Sequence, residues 1–119
     1  MAVANDTPSG PANLESAKVY SQQDLGHADR YRFCGGEAVI FTHSAPDKTT
    51  GNEDAAALLP LDEHSGVLIV ADGVGGLPGG SQASTLAVRT LLHKVTHAAA
   101  GRSLRETILD GIEAAIKLS

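Results

Sequence analysis

Asp72 closes an uninterrupted apolar run, residues 66–71 (GVLIVA), and Gly73 follows it directly. A carboxylate at the end of a buried strand is held rigidly while it projects into a crevice. The glycine after it carries no side chain, so a backbone carbonyl is open to approach by an ion. Mg²⁺ and Mn²⁺ take carboxylate, carbonyl and water oxygens in octahedral sets, and Asp72 with the Gly73 carbonyl supplies two of these donor types from adjacent positions. Upstream, Glu53 and Asp54 open a neighbouring strand and extend toward the same crevice. These four residues make the candidate metal site.

The elements that must position them are legible to different degrees. Residues 1–14, rich in Ala, Asn, Ser, Pro and Gly, read as a disordered leader. Residues 15–32 mix polar and apolar side chains without a clear period, with strand character confined to 17–21. Residues 37–43 carry Val39, Ile40 and Phe41 and predict a strand. A loop over 44–51 follows, with Pro46, Asp47 and Gly51 as its turn residues. Residues 54–61 predict a second strand and 66–71 a third, joined by a hairpin turn through Asp62, Glu63, His64 and Ser65. The continuous, β-branched GVLIVA run predicts a strand buried on both faces.

After a glycine-dense loop (Gly73, Gly75, Gly76, Gly79, Gly80), residues 81–100 predict a helix. Ala83, Leu86, Ala87, Leu91 and Val95 form its apolar stripe and Gly101 its stop. Ser103 and Glu106 have capping-box spacing. They open a second helix with Leu104, Ile108, Ile112 and Ile116 along one face, and both stripes call for a sheet to pack on.

Three short segments then stand out together: Asn52-Glu53-Asp54-Ala55, Val70-Ala71-Asp72-Gly73-Val74-Gly75-Gly76 and Gly80-Ser81-Gln82-Ala83-Ser84. In this order and separation they resemble the motifs of the type 2C (PPM-type) metal-dependent protein serine/threonine phosphatases. The resemblance implies an α+β fold, part of an α-β-β-α four-layer sandwich in which antiparallel sheets are flanked by helices. It implies that Asp72 bridges two Mn²⁺ or Mg²⁺ ions, that Gly73 offers its carbonyl to one of them, and that Asp54 contacts the site directly or through water. Glu53 falls where some members have a metal-contacting glutamate. The implied chemistry is hydrolysis of phosphoserine and phosphothreonine in protein substrates by a metal-activated water, with no phosphoenzyme.

Two departures from the family pattern bear on function. Many members place an arginine three residues before the Asn of the second-strand motif, to grip the substrate phosphate. That position is Thr49 here, with Lys48 as the nearest cation. Lysine binds phosphate as a point charge and lacks arginine's bidentate fork. The family's further metal-binding aspartates also lie C-terminal to these motifs in a much longer domain. Here the acids after Asp72 are Glu106, Asp110 and Glu113, which read as a solvated helix face. The resemblance therefore implies a fragment or truncated product with an incomplete metal site. The alternative is a pseudophosphatase or phosphoprotein-binding module that keeps the fold without the catalysis.

Composition narrows the remaining classes. Net charge is −5, from 9 basic and 14 acidic residues, which argues against a general nucleic-acid binder. Cys34 is the single cysteine, so neither an intramolecular disulfide nor a thiolate cluster can form; it reads as a small residue before the Gly35-Gly36 turn. No apolar stretch approaches the ~20 residues that span a bilayer, and residues 1–13 lack the pattern of a signal peptide. No membrane partner is therefore expected, and a cytoplasmic protein is. A dinucleotide site fails on spacing, because the pattern from Gly73 meets Pro78 where a glycine is needed. A Walker loop fails because Gly80 is followed by Ser81 rather than by lysine. The five histidines read as surface or loop residues. His93 and His97 have the i, i+4 spacing of zinc ligands, but no third ligand or intervening Glu of the metalloprotease pattern accompanies them.

Overall fold

A computed structural model describes residues 16–47, 49–73, 79–98 and 101–118. The chain is α+β. Its strands are β1 (Lys18–Ser21), β2 (Asp29–Phe33), β3 (Gly36–Ile40), β4 (Ala55–Pro60) and β5 (Gly66–Ala71), followed by helices α1 (Gly80–Thr96) and α2 (Leu104–Leu118). β1, β4 and β5 form one antiparallel sheet in the order β1-β4-β5, and β2 with β3 forms a separate hairpin.

The core lies between the three-stranded sheet and α1. Ala55, Ala57, Leu59, Val67 and Ile69 meet Val88, Leu91, Leu92 and Val95, all of them buried. These sheet residues alternate along β4 and β5, as side chains on one face of a strand must. The opposite face is crossed by the β2–β3 hairpin. Tyr20 of β1 is buried there and donates its hydroxyl to Asp29 at 2.8 Å, with the Tyr31 hydroxyl also in contact. Burial raises the Tyr20 pKa above the ordinary tyrosine value, so the hydroxyl stays a donor. At the other end of the hairpin the Cys34 thiol donates to the Ser65 carbonyl at 2.9 Å. Cys34 and Gly35 both take positive φ, 52° and 84°, the conformation of a tight two-residue hairpin turn.

Several expectations need correction. β2 falls in the stretch read as aperiodic; its alternation rests only on Tyr31 and Phe33, too few positions to stand out. β3 stops at Ile40 rather than His43, because beyond Ile40 its β2 partner has run out and the Thr42 carbonyl accepts the Leu25 N–H instead. GVLIVA is covered on one face only: Val67 and Ile69 are buried, whereas Leu68 and Val70 are 65% and 81% exposed. β5 is an edge strand that the hairpin reaches only at its first residue, Gly66, where the Phe33 ring and the Cys34 sulfur lie.

The first helix ends at Thr96, before the predicted 100. There the Thr96 hydroxyl donates to the Leu92 carbonyl at 2.9 Å and the chain leaves helical geometry at His97. Gly101, with φ 86°, belongs to the turn between the helices. The buried stripe of α1 is Ser84, Val88, Leu91, Leu92 and Val95, while Leu86 is exposed.

α2 packs on α1 through Thr107, Gly111 and Ala115. Of its predicted stripe, Ile108 is partly buried against the core while Leu104, Ile112 and Ile116 are exposed. A side chain on Gly111 would overlap Leu91, so close approach of the helices selects the small residues. Ile112 and Ile116 are left over a groove beside Ile69 and Val70. The capping box is formed as expected. Glu106 N–H donates to the Ser103 hydroxyl and Ser103 N–H to the Glu106 carboxylate, both at 3.1 Å. The expected leader at 1–14, Lys48 and residues 74–78 of the glycine-dense loop lie outside the described residues.

Candidate functional site

The β4–β5 register decides which residues meet at the sheet end. Its last pair is Ala55 with Ala71, so Asp54 and Asp72 are the next residues of the two strands, side by side as the strands part. Strand alternation carries both onto the face of Ala56 and Val70, away from the α1 core. Both carboxylates are exposed. Asp54 lines a cleft of about 510 Å³ between the sheet and the β2–β3 hairpin, together with Phe33, Ala38, Ile40, Leu58 and Val70.

The backbone beneath these carboxylates is fixed by close contacts. A side chain on Gly73 would overlap the carbonyl oxygen of Glu53 and come within 2.7 Å of the Gly80 carbonyl. The missing Cβ thus lets three stretches of main chain converge: the entry to β4, the exit from β5 and the first turn of α1. The buried Ser84 on α1 donates its hydroxyl to the Glu53 carbonyl at 2.6 Å.

Asn52, also buried, ties the same entry to two other loops. Its amide nitrogen donates to the Gln23 carbonyl and the Thr42 hydroxyl, each at 2.7 Å, and its carbonyl oxygen accepts the Asp54 N–H at 3.0 Å. Next to it, Asp24 accepts the Ser44 N–H at 2.8 Å and the Ser44 hydroxyl at 3.0 Å. The backbone bond from Ser44 holds the Asp24 carboxyl below the usual carboxylate range.

The predicted residues therefore divide. Asp54, Asp72 and Gly73 come together at the sheet end. Glu53 is 2% exposed and sits within the packed entry to β4, while its neighbour Asp54 faces solvent. Thr49 is exposed in the preceding loop, and Lys48 is outside the described residues. Among the described residues no three His, Cys, Asp or Glu side chains converge as a ready-made metal cluster. The rings of His93 and His97 stack with centroids 4.2 Å apart, and the His97 ring nitrogen lies 2.9 Å from the His93 carbonyl.

Two supporting residues, Asn52 and Ser84, have roles that the motif reading does not supply. Asn52 carried a signal, since an Asn two residues before the strand is placed to bond its own backbone. Ser84 stands in the third motif segment, but nothing in the sequence shows its bond, because its partner is 31 residues away.

No family model, curated protein or solved structure matches this chain. No helix among the described residues is long and apolar enough to cross a membrane.

Proposed function

We propose that Asp54, Asp72 and the Gly73 carbonyl are part of the divalent-metal site of a type 2C-like protein serine/threonine phosphatase, acting on cytoplasmic phosphoproteins. The observation that carries this reading is the β4–β5 register, whose last pair, Ala55 with Ala71, makes Asp54 and Asp72 the next residues at one end of the sheet. The donor set fits a hard cation: two exposed carboxylates and a backbone carbonyl, all oxygen. Mn²⁺ or Mg²⁺ bound there would polarise a phosphoryl oxygen and lower the pKa of an attacking water.

The chain's own residues keep the site in shape. Gly73 lets the Asp72 backbone lie against Glu53, Ser84 fastens the Glu53 carbonyl to α1, and Asn52 sets the direction of the chain into Asp54. Thr49 offers a neutral hydroxyl on the loop where members of the resembled family have an arginine, and Lys48 is its neighbour in sequence. Among the described residues no third carboxylate joins Asp54 and Asp72, so waters or groups beyond the described residues would complete the shell. The buried Glu53 and the Thr49 substitution also favour a second reading, a phosphoprotein-binding domain that retains the fold and lacks turnover.

Mn²⁺ paramagnetic broadening in the amide spectrum of the 119-residue chain tests the metal site directly. Signals around Asp54, Asp72 and Gly73 should broaden first, and Asp72→Asn should remove that selectivity. Uniform broadening, or a response centred on Glu106 and Asp110, would sink the assignment. In protein carrying the complete ligand set, release of phosphate from a phosphothreonine peptide separates the readings. The enzyme should turn over with Mn²⁺ and lose activity in Asp72→Asn, whereas the binding domain should retain the peptide unchanged.

A further inference from the structure

Charge is unevenly divided along this chain. Residues 80–118 hold five Lys or Arg against three acids, whereas the remainder holds four against eleven. The helical hairpin is thus positive on a protein that is otherwise strongly acidic. Three of its cations, Arg89, Lys94 and Lys117, line a shallow groove of about 550 Å³ between α1 and α2, with His93, Ala114 and Leu118 between them. The four basic side chains belong to exposed residues. Lys117 pairs with Glu113 at 3.1 Å, an exposed i, i+4 contact on its own helix. Such contacts are worth little in water and exchange readily for another carboxylate.

From this we infer that the α1–α2 groove binds an acidic peptide segment carrying an apolar residue among its carboxylates. The cations on both walls meet the acids, and the exposed aliphatic side chain of Leu118 meets the apolar residue. Charge complementarity selects an anionic occupant, and two features favour a peptide over nucleic acid. The groove contains no Phe, Tyr or Trp ring on which a base could stack, and its one imidazole, His93, is already stacked on His97. The eleven acids elsewhere in the chain repel a long polyanion, which must run past them, more than a short peptide. The inference uses none of the sheet-end residues and stands independently of the metal-site reading.

Fluorescence anisotropy of the 119-residue chain with a fluorescein-labelled Glu-Glu-Leu-Glu-Glu peptide tests it. Binding should weaken when NaCl is raised from about 50 to about 300 mM, since exposed charge contacts are screened. The double variant Arg89→Gln/Lys94→Gln should lose about tenfold in affinity, the scale of two exposed charge contacts. The control Arg32→Gln/Arg105→Gln removes the same charge outside the groove and should leave affinity within about twofold of wild type. All four positions are exposed, so both variants should keep the wild-type melting curve. Absence of binding, or equal losses in the two variants, overturns the inference. Tighter binding of poly(U) than of the peptide, lost in the groove variant, would overturn it in favour of nucleic acid. Displacement of the peptide by low concentrations of inorganic phosphate would reduce the groove to a simple anion site and overturn the peptide assignment.

Discussion

Leu59 and Leu68 are the same residue type on adjacent strands of one sheet, and they live in opposite surroundings. Leu59 faces α1 and has no exposed surface; Leu68 faces the other way and is 65% exposed. Between them runs the boundary between a finished interface and an unfinished one. On the α1 face, the alternating residues of β4 and β5 interlock with four side chains of one helix. On the other face the β2–β3 hairpin lies over the sheet with Tyr20 and Leu58 buried, and it reaches β5 only at Gly66, against Phe33 and Cys34. The lesson is that the apolar content of a strand reports what it is able to bury. What does cover it depends on partners elsewhere.

The largest effect should come from the finished face. Leu59→Ala removes a side chain with no route for solvent to fill the gap, and should cost about 2–5 kcal/mol of stability. Chemical denaturation measures it; a loss below about 1 kcal/mol would mean that the sheet–helix interface repacks freely.

Next comes the junction where the two faces meet at the sheet end. Gly73→Ala forces a methyl group into the Glu53 and Gly80 carbonyls, neither of which is the free end of a flexible side chain. Overpacking of this kind costs typically about 1–3 kcal/mol. The variant should also displace the amide signals of Asp54 and Asp72, because the same contact holds the two strand ends. A melt and spectrum identical to wild type would show that the three main-chain stretches do not meet.

Much of this was readable from sequence, and the failures have physical causes. β5 was placed to the residue because β-branched continuity between two turn signals is unambiguous. The capping box was read correctly because its partners are three residues apart. What could not be read was orientation. Nothing in GVLIVA says that one face stays open. Likewise, the Leu104–Ile116 spacing gives no hint that Thr107, Gly111 and Ala115 are the contact with α1. At the sheet end, adjacency in the chain keeps Asp72 and Gly73 together by necessity. It could not show that Glu53 and Asp54 part company, one buried and one exposed.

A smaller effect concerns α2, the element that braces α1 from outside the core. Ser103→Ala removes the N-cap hydroxyl and should cost about 1 kcal/mol. The same box gives a pH signature. The Ser103 backbone N–H, then its hydroxyl, hold the Glu106 carboxyl below its ordinary range. A depressed folded pKa stabilises above the unfolded value and the gain is lost as pH falls through the folded one. Melting temperature should therefore decline more steeply below about pH 4 in wild type than in Glu106→Gln. Parallel curves would remove Glu106 from the cap.

The smallest effect is the one that tests the comparison most sharply. Leu68→Ala makes the same chemical change as Leu59→Ala, one strand away and on the open face. Most of the removed surface is in water already, so little transfer free energy is lost and no cavity is left behind. The expected change is within about 0.5 kcal/mol. The exposed Leu68 and Val70 on an uncharged edge strand are also an invitation to association between copies. Val70→Lys should leave the melt nearly unchanged and shift sedimentation at high protein concentration toward monomer. If Leu68→Ala instead destabilised as much as Leu59→Ala, something would be covering β5 in solution, and the contrast between the two faces would disappear.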